Sequence, residues 1–173
     1  MKKIIWLMCC LTALNSSVII AKSNVGNTYG YIEKVMLLPD HISFDAKLDT
    51  GAATSSLNVR KIKIFKRHGE QWVAFDIYNN DSLVKHATYR LLKIISIKKR
   101  TSEIQSTKVD KRPLIEMQFC LGDEVSYIKV NLVDRQNFAY PFLLGREAMH
   151  KFNVTINPAK KYLNPLKCPA GNL

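Results

Sequence analysis

The stretch "AKLDTGAATSSLNV" (46–59) places one carboxylate, Asp49, between an apolar approach and a run of very small residues. Gly51 has no Cβ, so the backbone can bend there and a neighbouring segment can come close. Ala52 and Ala53 keep the surroundings small, while the hydroxyls of Thr50, Thr54, Ser55 and Ser56 are suited to bonding loop amides and carbonyls. Taken alone, this also describes an ordinary turn in which the acid merely bonds the amides that follow it. A second segment bears on the choice: "YPFLLGREAM" (140–149) runs from consecutive apolar residues through Gly145 into a short helical pattern.

Between these two segments, period-two alternation dominates. Ile62 and Ile64 alternate with Lys61 and Lys63; Ile115, Met117 and Phe119 with Glu116 and Gln118; Ile128, Val130 and Leu132 with Lys129 and Asn131. Each of these runs is predicted to be a half-buried strand. Further strands are expected at "GYIEKVMLL", "ISFDAKL", "QWVAFDIY" and, as one continuous element, "VKHATYRLLKIISI". Turns are expected at "HGE", "YNNDS" and "LGDE", where Gly, Asn and Asp tolerate turn geometry. The one good helical site is "GREAMHKF" (145–152), with Ala148, Met149 and Phe152 on a common face. Residues 98–112, polar and without periodicity, read as a long loop. The expected class is all-β.

A chain of 173 residues suits one domain. Its first segment carries Lys2 and Lys3, an apolar run, and Ala21 before a polar stretch, the layout of a secretory signal peptide. Residues 1–21 are therefore expected to be removed, leaving 22–173 as a single domain; retention as a membrane anchor is the rival expectation. Export places the chain in the periplasm or outside the cell and leaves Cys120 and Cys168 as the mature cysteines, either joined or unpaired. The net charge of +12 favours acidic partners, such as an acidic peptide or an anionic envelope surface. Basic residues scattered along strand-like alternations, with no nucleic-acid-binding motif, speak against nucleic acid.

The pairing of D-T-G-A with F-L-L-G-R resembles the retropepsin-like aspartic peptidases. It is similar above all to a bacterial branch commonly labelled "ATP-dependent zinc protease". The resemblance extends through "GYIEKVMLLP", "WVAFDI", "KRP" and "VNLVDRQNFAYPFLLGREAM", from about residue 29 to 163. It implies a closed β-barrel with one short carboxyl-terminal helix. It also implies a hydrolase in which Asp49 is the catalytic acid, Thr50 bonds across to a second loop, and Gly51 permits the approach. Ala52, Ala53, Thr54, Leu144, Gly145 and Arg146 would support the site or bind substrate.

Such enzymes need two carboxylates, one taking a proton from water while the other, protonated, donates to the substrate carbonyl. This sequence has one D-T-G and no internal repeat, so the resemblance implies a homodimer with one Asp49 from each subunit. Some cytoplasmic relatives in the family are associated with removing glutamate tails from proteins, which makes an acidic peptide the implied substrate. The sequence departs from the family pattern at Ala53, where a basic residue is usual, and at Asn58, where a histidine is usual. These departures bear on specificity and keep a non-catalytic envelope-binding module as the alternative function. Arg146 lacks the acidic partner of retroviral enzymes and is expected to pair with Asp134 or Glu147, or to line the site. No cofactor and no metal is expected, because His41, His68, His86 and His150 lie far apart and no glycine-rich phosphate loop is present. Asp134 and Arg135, at a strand end before the apolar-glycine element, read as a turn-stabilising ion pair, with reaching the site or pinning its loops as the alternative; Lys111 and Arg112 read as solvated strand-edge residues, with binding of an acidic peptide as the alternative; Trp72 and Phe75 read as core in preference to substrate pocket. Either "YNNDS" or the 98–112 segment is a candidate flap over the site.

Overall fold

The computed structural model describes residues 27–97 and 109–168. The expected signal segment, and most of the segment read as a long loop, fall outside the described residues. The described chain forms ten strands and one helix: β1 (Asn27–Leu38), β2 (Ile42–Asp49), β3 (Ser55–Arg67), β4 (Glu70–Asn79), β5 (Ser82–Arg90), β6 (Lys93–Ile97), β7 (Asp110–Leu121), β8 (Glu124–Val133), β9 (Phe142–Gly145), α1 (Arg146–Lys151) and β10 (Val154–Lys161).

Six strands close into a barrel in the order β1-β2-β9-β3-β8-β7, with the end of β7 returning to pair with β1. β10 lies parallel to the first half of β1 and β6 flanks the first half of β7, while β4 and β5 extend outward from β3. The predicted alternations at 115–119 and 128–132 supply the barrel's inner face, where Ile115, Met117, Phe119, Ile128, Val130 and Leu132 are all buried. Phe142 of β9 packs at the centre, its ring 4.8 Å from that of Phe119 and 6.4 Å from that of Phe44. Ala148, Met149 and Phe152 seat α1 on this core, as their shared face predicts. The expected turns form at His68-Gly69, around Asn80 and at Gly122, all with positive φ.

Three local expectations are corrected. Ile62 and Ile64 alternate but are exposed, because a bulge between Arg60 and Lys63, with positive φ at Lys61, carries the outer half of β3 away from the barrel. The run 84–97 is two strands, since the Leu91 amide bonds Gln71 of β4 whereas the Leu92 amide bonds Leu114 of β7. The chain changes sheets between these two residues. Residues 110–112 belong to β7 and not to a loop, and β10 is a strand that alternation did not mark.

Cys120 and Cys168 are joined by a disulfide, with Cα atoms 5.9 Å apart. The tail it fastens is also held by the buried Glu33, whose carboxylate accepts from the Leu163 amide at 2.9 Å and, more loosely, from the Asn164 amide at 3.4 Å. In a chain-entropy account a closed loop of this length stabilises a fold by about 4 kcal/mol at most.

Candidate active site

β2 delivers Asp49 to its carboxyl end, where it pairs in parallel with Gly145 of β9. Because β9 lies between β2 and β3, the chain leaving β2 must cross the end of β9 before entering β3. That crossing is the Asp-Thr-Gly-Ala loop. It is closed by backbone bonds: the Arg146 amide donates to the Ala52 carbonyl at 2.8 Å and the Glu147 amide to the Ala53 carbonyl at 3.0 Å. The Gly145 amide donates to Ser55 Oγ at 3.1 Å. A Cβ on Gly145 would stand 2.6 Å from the Thr54 carbonyl carbon and 2.8 Å from the Ala53 oxygen. Gly145 is extended, at φ −88° and ψ 171°, so the site needs its small size and not its conformational freedom.

Within the loop, the Gly51 amide donates to Asp49 Oδ1 at 2.9 Å and the Ala52 amide to the Asp49 carbonyl at 3.2 Å. Asp49 is half-buried, and Thr50, Gly51 and Ala53 are exposed. Asp49, Gly51, Ala52, Ala53 and Thr54 line one side of a cleft of about 1040 Å³. Thr50 and Arg146 lie on the other side of the loop, on a shallower hollow, where Arg146 Nη1 donates to the Thr50 carbonyl at 3.0 Å. Arg146 thus binds backbone and forms no ion pair with Asp134 or Glu147. Leu144 is buried in the core, and its neighbour Leu143 reaches the cleft instead.

The wall of the cleft away from this loop includes Arg112, Asn131, Asp134 and Arg135. Arg135 is 6 % exposed. Its Nε donates to the Tyr140 carbonyl at 3.1 Å, its Nη1 to Ser56 Oγ at 2.7 Å, and the Phe138 ring lies 4.5 Å from its guanidinium carbon. Burial, reinforced by the Arg112 charge and opposed by Asp49, pulls the Arg135 guanidinium down to about 10, so it stays cationic at neutral pH. Asp134 pairs with Arg60, at 3.8 Å, and not with Arg135. Arg112 is no solvated edge residue: its Nε donates to Asp110 at 2.7 Å and its Nη1 to Asn131 at 3.3 Å. Trp72 and Phe75 do not line the cleft, and Phe75 is core.

The fold and this loop can be set against known proteins. Residues 28–167 match the family model described as RimB-like, retropepsin-like aspartic endopeptidase. The chain belongs to the RimB-like family. It is 31 % identical over 120 residues to a probable alpha-L-glutamate ligase of Shewanella halifaxensis, covering 68 % of this chain and 25 % of that protein. It is 36 % identical over 107 residues to a protein of the same description from Parasynechococcus marenigrum, covering 60 % and 22 %. The RimB-like chain therefore spans about a quarter of the length of the curated relatives it matches. A crystal structure of a Legionella pneumophila protein of unknown function superposes with a TM-score of 0.65 at 32 % identity, covering 79 % of this chain and 96 % of that one.

Ala53 and Asn58, the two positions at which the resemblance implied a departure from the usual residues, have different places in the structure. Ala53 is exposed and lines the cleft. Asn58 is buried and away from it, its Nδ2 donating to the Asn80 carbonyl at 3.1 Å and its Oδ1 accepting from the Arg135 amide at 2.7 Å. Asn58 therefore positions the wall. The four histidines are dispersed, and among the described residues no cluster of three or more His, Cys, Asp or Glu is placed to hold a metal ion. Zinc does not fit this set of side chains. Sequence reasoning missed Asn131 and Tyr140 as site residues; a buried Asn in an apolar alternation was the available signal for the first.

Proposed function

We propose that this protein is an exported, homodimeric aspartic-type peptidase that hydrolyses peptide bonds in acidic substrates. The observation that carries the reading is the placing of Asp49: a half-buried carboxylate at a sharp backbone crossing, opening onto a cleft large enough for a peptide. The other cleft carboxylates among the described residues are already engaged, Asp110 by Arg112 and Asp134 by Arg60. The remaining route to a dyad is a second copy of the loop, and the exposure of Thr50 and Gly51 suits that meeting.

In such a dimer two Asp49 carboxyls share one proton, because like charges in contact do not both ionise. The ionised carboxylate takes a proton from water as the water oxygen bonds to the carbonyl carbon. The protonated one gives its proton to the carbonyl oxygen. Collapse of the tetrahedral adduct breaks the C–N bond: the carboxyl that took the proton from water gives it to the departing nitrogen, and the other carboxylate takes back a hydroxyl proton as the carbonyl re-forms in the acid product. Gly51, through its amide on Asp49 Oδ1, fixes the orientation of the carboxyl.

Export is supported by the amino-terminal pattern and by the Cys120–Cys168 disulfide, which an oxidising compartment would preserve. An acidic substrate is supported by the +12 charge and by the naming of relatives as probable glutamate ligases. The test is cleavage of a pool of acidic and neutral peptides by wild type and Asp49→Asn, alongside sedimentation equilibrium. The expected result is a dimer whose cleavage drops at least 1000-fold in the variant. Undiminished cleavage by Asp49→Asn, or full activity in a strict monomer, overturns the dyad. Binding without cleavage by wild type marks the envelope-binding module instead.

A further inference from the structure

Arg135 stands out among the charged residues of the molecule. Buried guanidinium groups are ordinarily paired with carboxylates, yet among the described residues no carboxylate reaches ion-pair distance of this one. Its five N–H bonds are partly used: Nε is held by the Tyr140 carbonyl and Nη1 by Ser56, whereas Nη2 has no partner among the described residues. With one end of the fork fixed and Phe138 against the guanidinium, the group is held in place and still has donors left. It lines the same cleft as Asp49, and Arg112 lines it too. Arg112 is largely neutralised by Asp110, and of the two cleft cations without a carboxylate partner among the described residues, the exposed Lys47 and the buried Arg135, only Arg135 is held in a fixed position.

We propose that Arg135 is the specificity-determining residue of the cleft, binding a carboxylate of the bound peptide through its free guanidinium edge. A planar fork suits a carboxylate, and a group already immobilised loses little freedom on binding. Preference for acidic peptides then arises from one built position and not from the diffuse surface charge. The proposal rests on the peptidase reading only for where the peptide lies; binding itself needs no catalysis. The carboxylate is either a glutamate or aspartate side chain or the peptide's own carboxyl terminus.

Calorimetric titration of the full-chain Asp49→Asn protein separates these sources. The probes are three pentapeptides: acetylated and amidated pentaglutamate, acetylated and amidated pentaglutamine, and acetylated pentaglutamine with a free carboxyl terminus. The expected result is that one carboxylate-bearing peptide binds at least tenfold more tightly than the capped pentaglutamine. Tight pentaglutamate assigns Arg135 to side chains, and tight free-acid pentaglutamine to the terminus. Adding Arg135→Met should abolish the preference without weakening capped pentaglutamine, and Arg135→Lys, which keeps the charge but not the fork, should lose most of it. Equal binding of all three peptides, or a preference intact in both Arg135 variants, overturns the proposal.

If Arg135→Met does not fold, the Nε–Hε resonance of Arg135 in the Asp49→Asn protein is titrated with glutarate. A saturable shift supports the subsite and an unmoved resonance rejects it. Failure of the peptidase reading has a different signature. Absent cleavage by wild type with the peptide preference retained leaves the subsite standing, whereas cleavage of all three peptides with the same kcat/KM rejects the subsite alone.

Discussion

The two sides of the cleft are built by different means. The acid loop is held chiefly by main chain, through the bonds from the amides of 146 and 147 to the carbonyls of 52 and 53. The arginine wall is held largely by side chains, with Asn58, Ser56 and Asn131 each bonded across the fold. A main-chain clamp asks only that its residues be small enough to meet, whereas a side-chain clamp asks for particular donors and acceptors. The acid is thus placed by space and the cation by hydrogen bonds. The two sides should fail differently when altered.

The largest effect is expected on the loop side. Gly145→Ala puts a Cβ into main-chain atoms that cannot turn aside, so the crossing or β9 must shift. A cost of about 3 kcal/mol, or roughly 10 °C in Tm, is expected, with hydrolysis lost because Asp49 moves. A thermal melt and a peptide assay check both. A variant with wild-type stability would mean that the crossing is slack, and the contrast with the wall would collapse.

On the wall, Asn58→Ala leaves the Asn80 carbonyl and the Arg135 amide without their partner. The expected cost is about 2 kcal/mol, smaller than on the loop side because no atoms collide. Urea unfolding gives the stability. Peptide kinetics give the sharper result, which is a rise in KM with kcat held, since Arg135 is displaced while Asp49 is not. A fall in kcat at constant KM would show that the two sides are mechanically one, and would break the distinction.

The same difference governs what could be read from sequence. Small residues in succession are a local compositional record of a tight turn, so Gly51 beside Asp49 was legible from the residues themselves, whereas the place of Gly145 against that turn came from the family resemblance. Of the wall, the sequence offered Asp134 and Arg135 as the lesser of two readings but not their supports, because Asn58 and Ser56 reach Arg135 from 77 and 79 residues away. Asp134 and Arg135, adjacent in sequence, suggested a pair, but successive residues leaving a strand point apart, and each found a distant partner. Alternation marked most of the barrel correctly for the same local reason. It misled at Ile62 and Ile64, since period two shows that a strand has two faces and not that something covers one of them.

The outer arm offers the opposite case to Arg135, a nearly buried anion with a cation and a second hydrogen-bond partner supplied. Asp76 of β4 faces His86 Nδ1 at 2.5 Å and Lys61 Nζ at 3.1 Å. The His86 hydrogen bond holds the Asp76 carboxyl below its usual range; burial opposes this and Lys61 adds to it. A carboxyl lowered on folding contributes stability that is fully present above its unfolded value, about 4, and is lost as pH falls through the folded value. Asp76→Asn should therefore melt below wild type at neutral pH, by the least of the three changes, with the two curves beginning to converge at about pH 4 and continuing to do so as pH falls through the lowered folded value. Melts from pH 7 to pH 3 follow this directly. A gap that stays constant across the range would mean that Asp76 acts through packing and not through charge. The arm would then no longer serve as the compensated counterpart to the buried, uncompensated guanidinium of Arg135.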